Sequence, residues 1–270
     1  MVTEHTDHFW QQDRQARAAN SSFYDDPAEV QTYLARPNHA ARLELVVRTI
    51  QRRLLEADGA RPDGLAAELG ASGGQLTERL RQLAVRVIAC DISLRALSLS
   101  SQPRHLAVRC DACTELPFCD ARLHLLIACE LIEHLFDPLS FLRECWRVLG
   151  PGGLLILTTP NLAAIEDRLR FLRGQNPRQI DPLHPYRFLH IRPFTPGLIR
   201  RSLEHCHFEH ITIASQCVEL SLGPIRLRSS LLSRLLPSWG RSLIVSAKKP
   251  YVKDLPQIVK PNHNSKERGH

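Results

Sequence analysis

Short apolar runs alternate with helix-patterned segments from residue 65 to residue 247, and this alternation limits the fold more than any other feature of the chain. The runs are Leu65–Leu69, Arg86–Cys90, His105–Cys110, Leu123–Cys129, Leu154–Thr159, Phe208–Ala214 and Ser242–Ala247. They are short and largely apolar, as strands covered on both faces are. Between them, Gln75–Leu83, Leu94–Ser100 and Pro138–Leu149 carry helical patterning. Thr195 as N-cap and Pro196 in the first turn open a further helix to about Cys206. Strands alternating with helices predict a doubly wound α/β domain, a seven-stranded, mostly parallel sheet with helices on both faces.

Residues 1–56 read as a polar tail followed by a helical cap. Asp26-Pro27 is a start signal, and Leu43, Val46, Val47, Ile50 and Leu54 recur at helical spacing. The domain itself is expected at 57–249, with a tail rich in Pro, Lys and Asn at 250–270 expected to be disordered. Two segments interrupt the alternation. Residues 160–194 are polar, with prolines at 177, 182, 185 and 193, and form an expected substrate-side insert after a strand end. Residues 222–240 mix Leu with Arg and fit an amphipathic helix, lying either on the domain or on a membrane surface.

Charge and cysteine narrow the setting. The net charge of +7 comes mainly from scattered arginines, so a solvated surface explains it as well as a nucleic-acid site does. The eight cysteines lie partly in apolar runs, and with a polar N-terminus they are expected to be reduced in a cytoplasmic protein. Cys110 and Cys113 make one CxxC without the second pair a zinc site needs.

Three successive strand ends carry chemistry. The turn Glu68-Leu69-Gly70-Ala71-Ser72-Gly73-Gly74 follows the first strand and opens a helix. Glycine there lets the backbone turn sharply and pass close to a ligand. Asp91 ends the second strand, where a carboxylate accepts from two ribose hydroxyls. Asp111 ends the third, where a carboxylate suits an adenine amino group and the N–H of Ala112 a ring nitrogen.

These segments (ELGASGG, IACDIS, RCDACTELPF and CELIEHLFDPLSFLRECWRVLGPGGLLILTTPN) resemble the ordered motifs of class I S-adenosylmethionine-dependent methyltransferases, over roughly residues 65–161. Within that family the chain looks most like the ubiquinone-biosynthesis O-methyltransferases and their type 11 relatives. The resemblance implies a Rossmann-like methyltransferase fold and S-adenosylmethionine as cofactor. It implies Glu68 at the methionine amino end, Gly70 and Gly74 in the turn beneath the cofactor, and Asp91 on ribose. Asp111 with Ala112 would hold adenine, and Cys129 and Glu130 would line the methionine side. Ser72 replaces the family's middle glycine, and Leu123-His124 replaces its usual Phe-Asp. Both departures leave room for weakened cofactor binding.

Methyl transfer needs an aligned nucleophile and a route for its proton. His134, just after the fourth strand, is the candidate base, and it equally fits a loop-packing role. Glu130, Glu133 and His134 also resemble the metal site of some ubiquinone-type enzymes and of small-RNA 2′-O-methyltransferases, with His190 in the place of a second histidine. That resemblance implies a divalent cation such as Mg. His184, Tyr186 and Arg187 are candidate substrate contacts, and Tyr24 and Tyr33 a candidate lid. The leading expectation is methyl transfer to a hydroxyl of a small molecule. An RNA methyltransferase and a non-catalytic binding module of the same fold are the alternatives, and oligomeric state is not legible.

Overall fold

In the computed structural model, residues 37–55, 64–83, 85–99, 106–181, 189–222 and 225–251 are described, together with a few isolated positions. His184, Tyr186, Arg187, Tyr24, Tyr33 and nearly all of the C-terminal tail lie outside the described residues.

Seven strands form one sheet: β1 (Leu65–Leu69), β2 (Arg86–Asp91), β3 (Leu106–Arg109), β4 (Leu123–Cys129), β5 (Leu149–Pro160), β6 (Glu209–Ser215) and β9 (Ser242–Lys248). Their order is β3-β2-β1-β4-β5-β9-β6. The first five are parallel, while β9 runs antiparallel to both β5 and β6. The strand order reverses between β1 and β4, which pair in parallel from Leu65↔Leu123 to Leu69↔Ala128. Such a reversal opens a crevice outside the C-terminal strand ends, because the connecting segments leave in opposite directions.

Alternation along each strand splits the core in two. Ala66, Leu125, Ile127, Ile156 and Ile244 face helices α1 (Pro37–Leu55) and α2 (Gln75–Arg81), meeting Leu43, Val46, Ile50, Leu76 and Leu80. Ala67, Leu126, Ala128, Leu155 and Val245 face the other side, meeting Phe141, Leu142 and Cys145 of α4 (Pro138–Val148) and Ile199 and Leu203 of α6 (Pro196–His205). The short helix α3 (Leu94–Ser98) follows β2 and is capped by the Ser93 hydroxyl, which accepts from Ala96 N–H. Asp137 caps α4 through Ser140 N–H, and Thr195 caps α6 through Leu198 N–H, each with proline in the first turn. These are the caps the sequence signals.

The structure corrects one expectation. Residues 222–240 are not one amphipathic helix. Ile225–Ser229 forms strand β8, paired antiparallel with β7 (Val218–Leu222), and only Ser230–Leu235 is helical, as α7. The run Ile-Arg-Leu-Arg-Ser alternates with period two, so the strand reading was available and wins. The insert 160–194 carries regular structure in its described part. It contains α5 (Ile165–Leu172), anchored by the buried Asp167, whose carboxylate accepts from Arg178 N–H.

Candidate active site

The crevice at the C-terminal edge gathers the sequence-predicted residues. Gly70 and Gly74 take left-handed backbone, φ 71° and 72°, and Gly74 caps α2. Ser72, between them, is left-handed too, at φ 48°. The turn is tied to the next strand by Ala71 N–H donating to Cys90 O at 3.0 Å, and β2 to the following turn by Cys110 N–H donating to Asp91 O at 2.9 Å. These two bonds bring Gly70, Asp91 and Asp111 to adjacent positions along one edge.

The carboxylates are held before any ligand arrives. Asp91 Oδ2 accepts from Ser72 N–H at 2.8 Å and Oδ1 from Ser93 N–H at 2.9 Å. Asp111 Oδ1 accepts from Cys113 N–H at 2.8 Å, with Ala112 half-buried beside it. Glu68 is buried and accepts from the Thr77 hydroxyl. Burial pushes its carboxyl up to about 8, since a charge removed from water is penalised. Cys129 ends β4 half-buried, its thiol pushed up to about 12 mainly by burial, which leaves it unreactive.

Glu130 stands at φ 51° just beyond β4. Its carboxylate accepts from the Thr158 hydroxyl at 2.9 Å and pairs with Arg42 Nη1 at 3.2 Å. Glu133 and His134 lie in the following 3-10 turn, Ile132–His134, both buried. The segment 189–194 docks on this turn. Arg192 N–H donates to Glu133 O at 3.0 Å, and His134 Nδ1 faces Leu189 O at 3.1 Å. His190 thereby meets the His134 ring edge-on at 5.0 Å. One ligand atom each from Glu133, His134 and His190 lies within 4.8 Å of the others. Glu130, held by Arg42 and Thr158, is not part of that cluster. Burial, with the neighbouring His190, pulls His134 down to about 3 and keeps it neutral. Burial, with the nearby Glu130, raises Glu133 well above the carboxylate range, and neither of its carboxylate oxygens has a hydrogen-bond partner.

Three contributors were not anticipated. Arg42 and His39, from α1, and Gln75, from α2, form a chain over the crevice: Arg42 Nη2 to His39 Nδ1 at 3.1 Å, and His39 Nε2 to Gln75 Oε1 at 3.1 Å. A signal existed. Arg42 falls one turn before Val46 on the buried stripe of α1, and an arginine set into an apolar face needs a partner.

The comparisons with known proteins point to one family. Residues 67–157 match the family model described as "Methyltransferase domain". A ubiquinone biosynthesis O-methyltransferase of Parvibaculum lavamentivorans is 30% identical over 172 residues, covering 55% of this chain and 67% of that protein. A probable S-adenosylmethionine-dependent methyltransferase of Mycolicibacterium smegmatis is 30% identical over 143 residues, covering 53% of this chain and 51% of that protein. The chain thus spans about half to two thirds of the length of these relatives. In fold, it is similar to the crystal structure of a SAM-dependent methyltransferase from Archaeoglobus fulgidus, with TM-score 0.53 at 18% identity, covering 77% of this chain and 94% of that one. With its reversed strand order, its glycine turn and its matched relatives, the chain belongs to the class I S-adenosylmethionine-dependent methyltransferases.

Proposed function

We propose that this chain transfers the methyl group of S-adenosylmethionine to a hydroxyl of a small molecule. The observation that carries the reading is the convergence of Gly70, Asp91 and Asp111 on one crevice at the strand-order reversal. The acceptor set fits an adenosyl group: Asp91, fixed by two backbone N–H groups, would accept from a diol, and Asp111 would accept from an exocyclic amine. Glu68, a carboxyl that a nearby cation would ionise, and Arg42, a cation, suit the amino and carboxylate ends of an amino acid. The bound sulfonium supplies an activated methyl group. The chain's own residues align the acceptor, exclude water and manage its proton.

The cluster Glu133, His134 and His190, one carboxylate and two imidazoles, suits a divalent transition metal such as Mn or Zn, and with Glu130 turned away it does not suit Mg. Glu133, whose buried oxygens make no hydrogen bond, and the two imidazoles present three ligand atoms that a cation could join. A cation there would bind the acceptor's oxygen and lower its pKa. His134, depressed to about 3, suits a ligand better than a general base, whose pKa should lie near the working pH.

Calorimetry with S-adenosylmethionine tests the first reading. Wild type is expected to bind in the micromolar range. Asp91→Ala is expected to lose roughly 100-fold, about 2.7 kcal/mol, for two charge-assisted hydrogen bonds. Equal affinity in both proteins removes Asp91 from the site. Manganese titration followed by electron paramagnetic resonance tests the second. Wild type should bind the ion and Glu133→Gln should not, whereas no binding by wild type rejects the cation.

A further inference from the structure

The loop that carries Asp111 has no ladder of its own to hold it. Residues 110–122 join β3 to β4 without helix or strand. At its start, Cys110 N–H donates to Asp91 O, and a turn closes on Asp111. The carbonyl of Asp111 accepts from Thr114 N–H at 3.1 Å and from the Thr114 hydroxyl at 2.9 Å. Beyond that turn the backbone finds its partners on α4. Arg147 Nη2 donates to Leu116 O at 3.0 Å, and Nη1 donates to Phe118 O at 2.9 Å and to Asp120 Oδ1 at 2.7 Å. Arg147 also donates to Glu144, from Nε to Oε1 at 3.0 Å and from Nη2 to Oε2 at 2.8 Å. Glu144 Oε2 accepts in turn from Leu116 N–H at 3.0 Å. All five N–H donors of the guanidinium are thereby engaged.

Backbone groups outside a ladder still need partners, and here one ion pair supplies three: the N–H and carbonyl of Leu116 and the carbonyl of Phe118. A charge-assisted fork fixes direction as well as distance. The Leu116 side chain is buried in the core, so the loop is held there from both sides. Helix α4 runs directly into β5 at Leu149, which pairs with Leu123 at the start of β4. The ion pair therefore acts from the sheet edge opposite the crevice and does not itself meet a ligand there. The turn 111–115 is fixed at one end by Asp91 through Cys110 and at the other by α4 through Leu116. Ordering completed in the free protein does not have to be repeated when a ligand binds.

We propose, on the adenosyl reading of the crevice, that Arg147 with Glu144 positions the base-reading turn. The pair holds 111–115 so that the Asp111 carboxylate and the Ala112 N–H stand at the spacing of an adenine amine and ring nitrogen. Its effect is on which base is accepted, not on cofactor affinity at large.

Calorimetry of the full chain with S-adenosylhomocysteine and with S-inosylhomocysteine tests this. The inosyl ring carries a carbonyl in place of the amine and an N–H in place of the ring acceptor. Wild type is expected to prefer the adenosyl ligand roughly 30-fold, the scale of hydrogen bonds to a charged acceptor. Arg147→Lys keeps the charge and the pairing with Glu144, but one ammonium cannot span both carbonyls. The preference should then fall to roughly threefold, through weaker adenosyl binding with inosyl binding little changed. Glu144→Gln, an isosteric change, should lie between the two. In an Asp111→Ala background, Arg147→Lys should alter the preference by less than about twofold, because most of its effect passes through that carboxylate. A preference that stays at the wild-type value in Arg147→Lys and Glu144→Gln, with both ligands weakened equally or not at all, overturns the proposal and leaves the pair a structural one. Equal binding of the two ligands by wild type also overturns it. Wild type that binds neither ligand removes the adenosyl crevice itself, and this assignment with it.

Discussion

Arg42 of α1 and Glu130 beyond β4 meet at 3.2 Å, with side chains 7% and 14% exposed. A residue outside the matched family region thus closes the crevice that the family motifs build. Removing one partner of so enclosed a pair strands the other charge. Arg42→Ala is expected to cost about 3 kcal/mol in urea unfolding. In a double-mutant cycle with Glu130→Gln, the coupling should exceed about 1 kcal/mol. Additive losses would mean that the two side chains act independently.

Ser72 occupies left-handed backbone at φ 48°, where a Cβ is strained. Ser72→Gly is expected to stabilise the protein by about 0.5–1 kcal/mol, the relief of strain exceeding glycine's added chain entropy. Ser72→Val should destabilise it by at least as much. Urea midpoints in the reverse order would show that the turn carries no such strain.

Glu68, pushed up to about 8, is neutral at pH 7 in the empty crevice. A cationic amino group arriving beside it favours the carboxylate, so cofactor binding should release a proton. Affinity is then expected to rise with pH and level off above about 8. At pH 7 the calorimetric heats in phosphate and in Tris should differ, and Glu68→Gln should remove that difference. Identical heats for wild type in the two buffers would place Glu68 out of reach of the ligand.

His39 is buried against Arg42, and burial first, then the Arg42 charge, lowers it from 6.5 to about 4. Below pH 6.5 the unfolded chain takes up a proton that the folded chain refuses. Stability is therefore full above pH 6.5 and declines as pH falls from 6.5 toward 4, by up to roughly 3 kcal/mol. Thermal melts from pH 7.5 to 4.5 should show this slope in wild type and a shallower one in His39→Gln. Parallel slopes would assign the loss to other groups.

The legible parts of this protein are those that local chemistry settles. β1 and β4 fall at Leu65–Leu69 and Leu123–Cys129, as their apolar runs mark them, because continuous burial on both faces leaves an uninterrupted pattern. The glycine turn was legible because its backbone geometry demands those residues. The segment 222–240 was misread because Leu and Arg there satisfy a 3.6-residue period as readily as a two-residue one. Only pairing with Val218–Leu222, a contact outside the segment, decides between them.

By itself, the sequence determined the order of the seven sheet strands, the cap of α6, and which residue types stand at each strand end. These follow from interactions spanning a few residues. Tertiary structure alone decided that Arg42 reaches Glu130, 88 positions away, and that His190 lies against His134 while Glu130 turns from that cluster. Such contacts depend on how α1 and the segment 189–194 cross the sheet edge, and side-chain reach across a crossing is set by packing in three dimensions, not by periodicity along the chain.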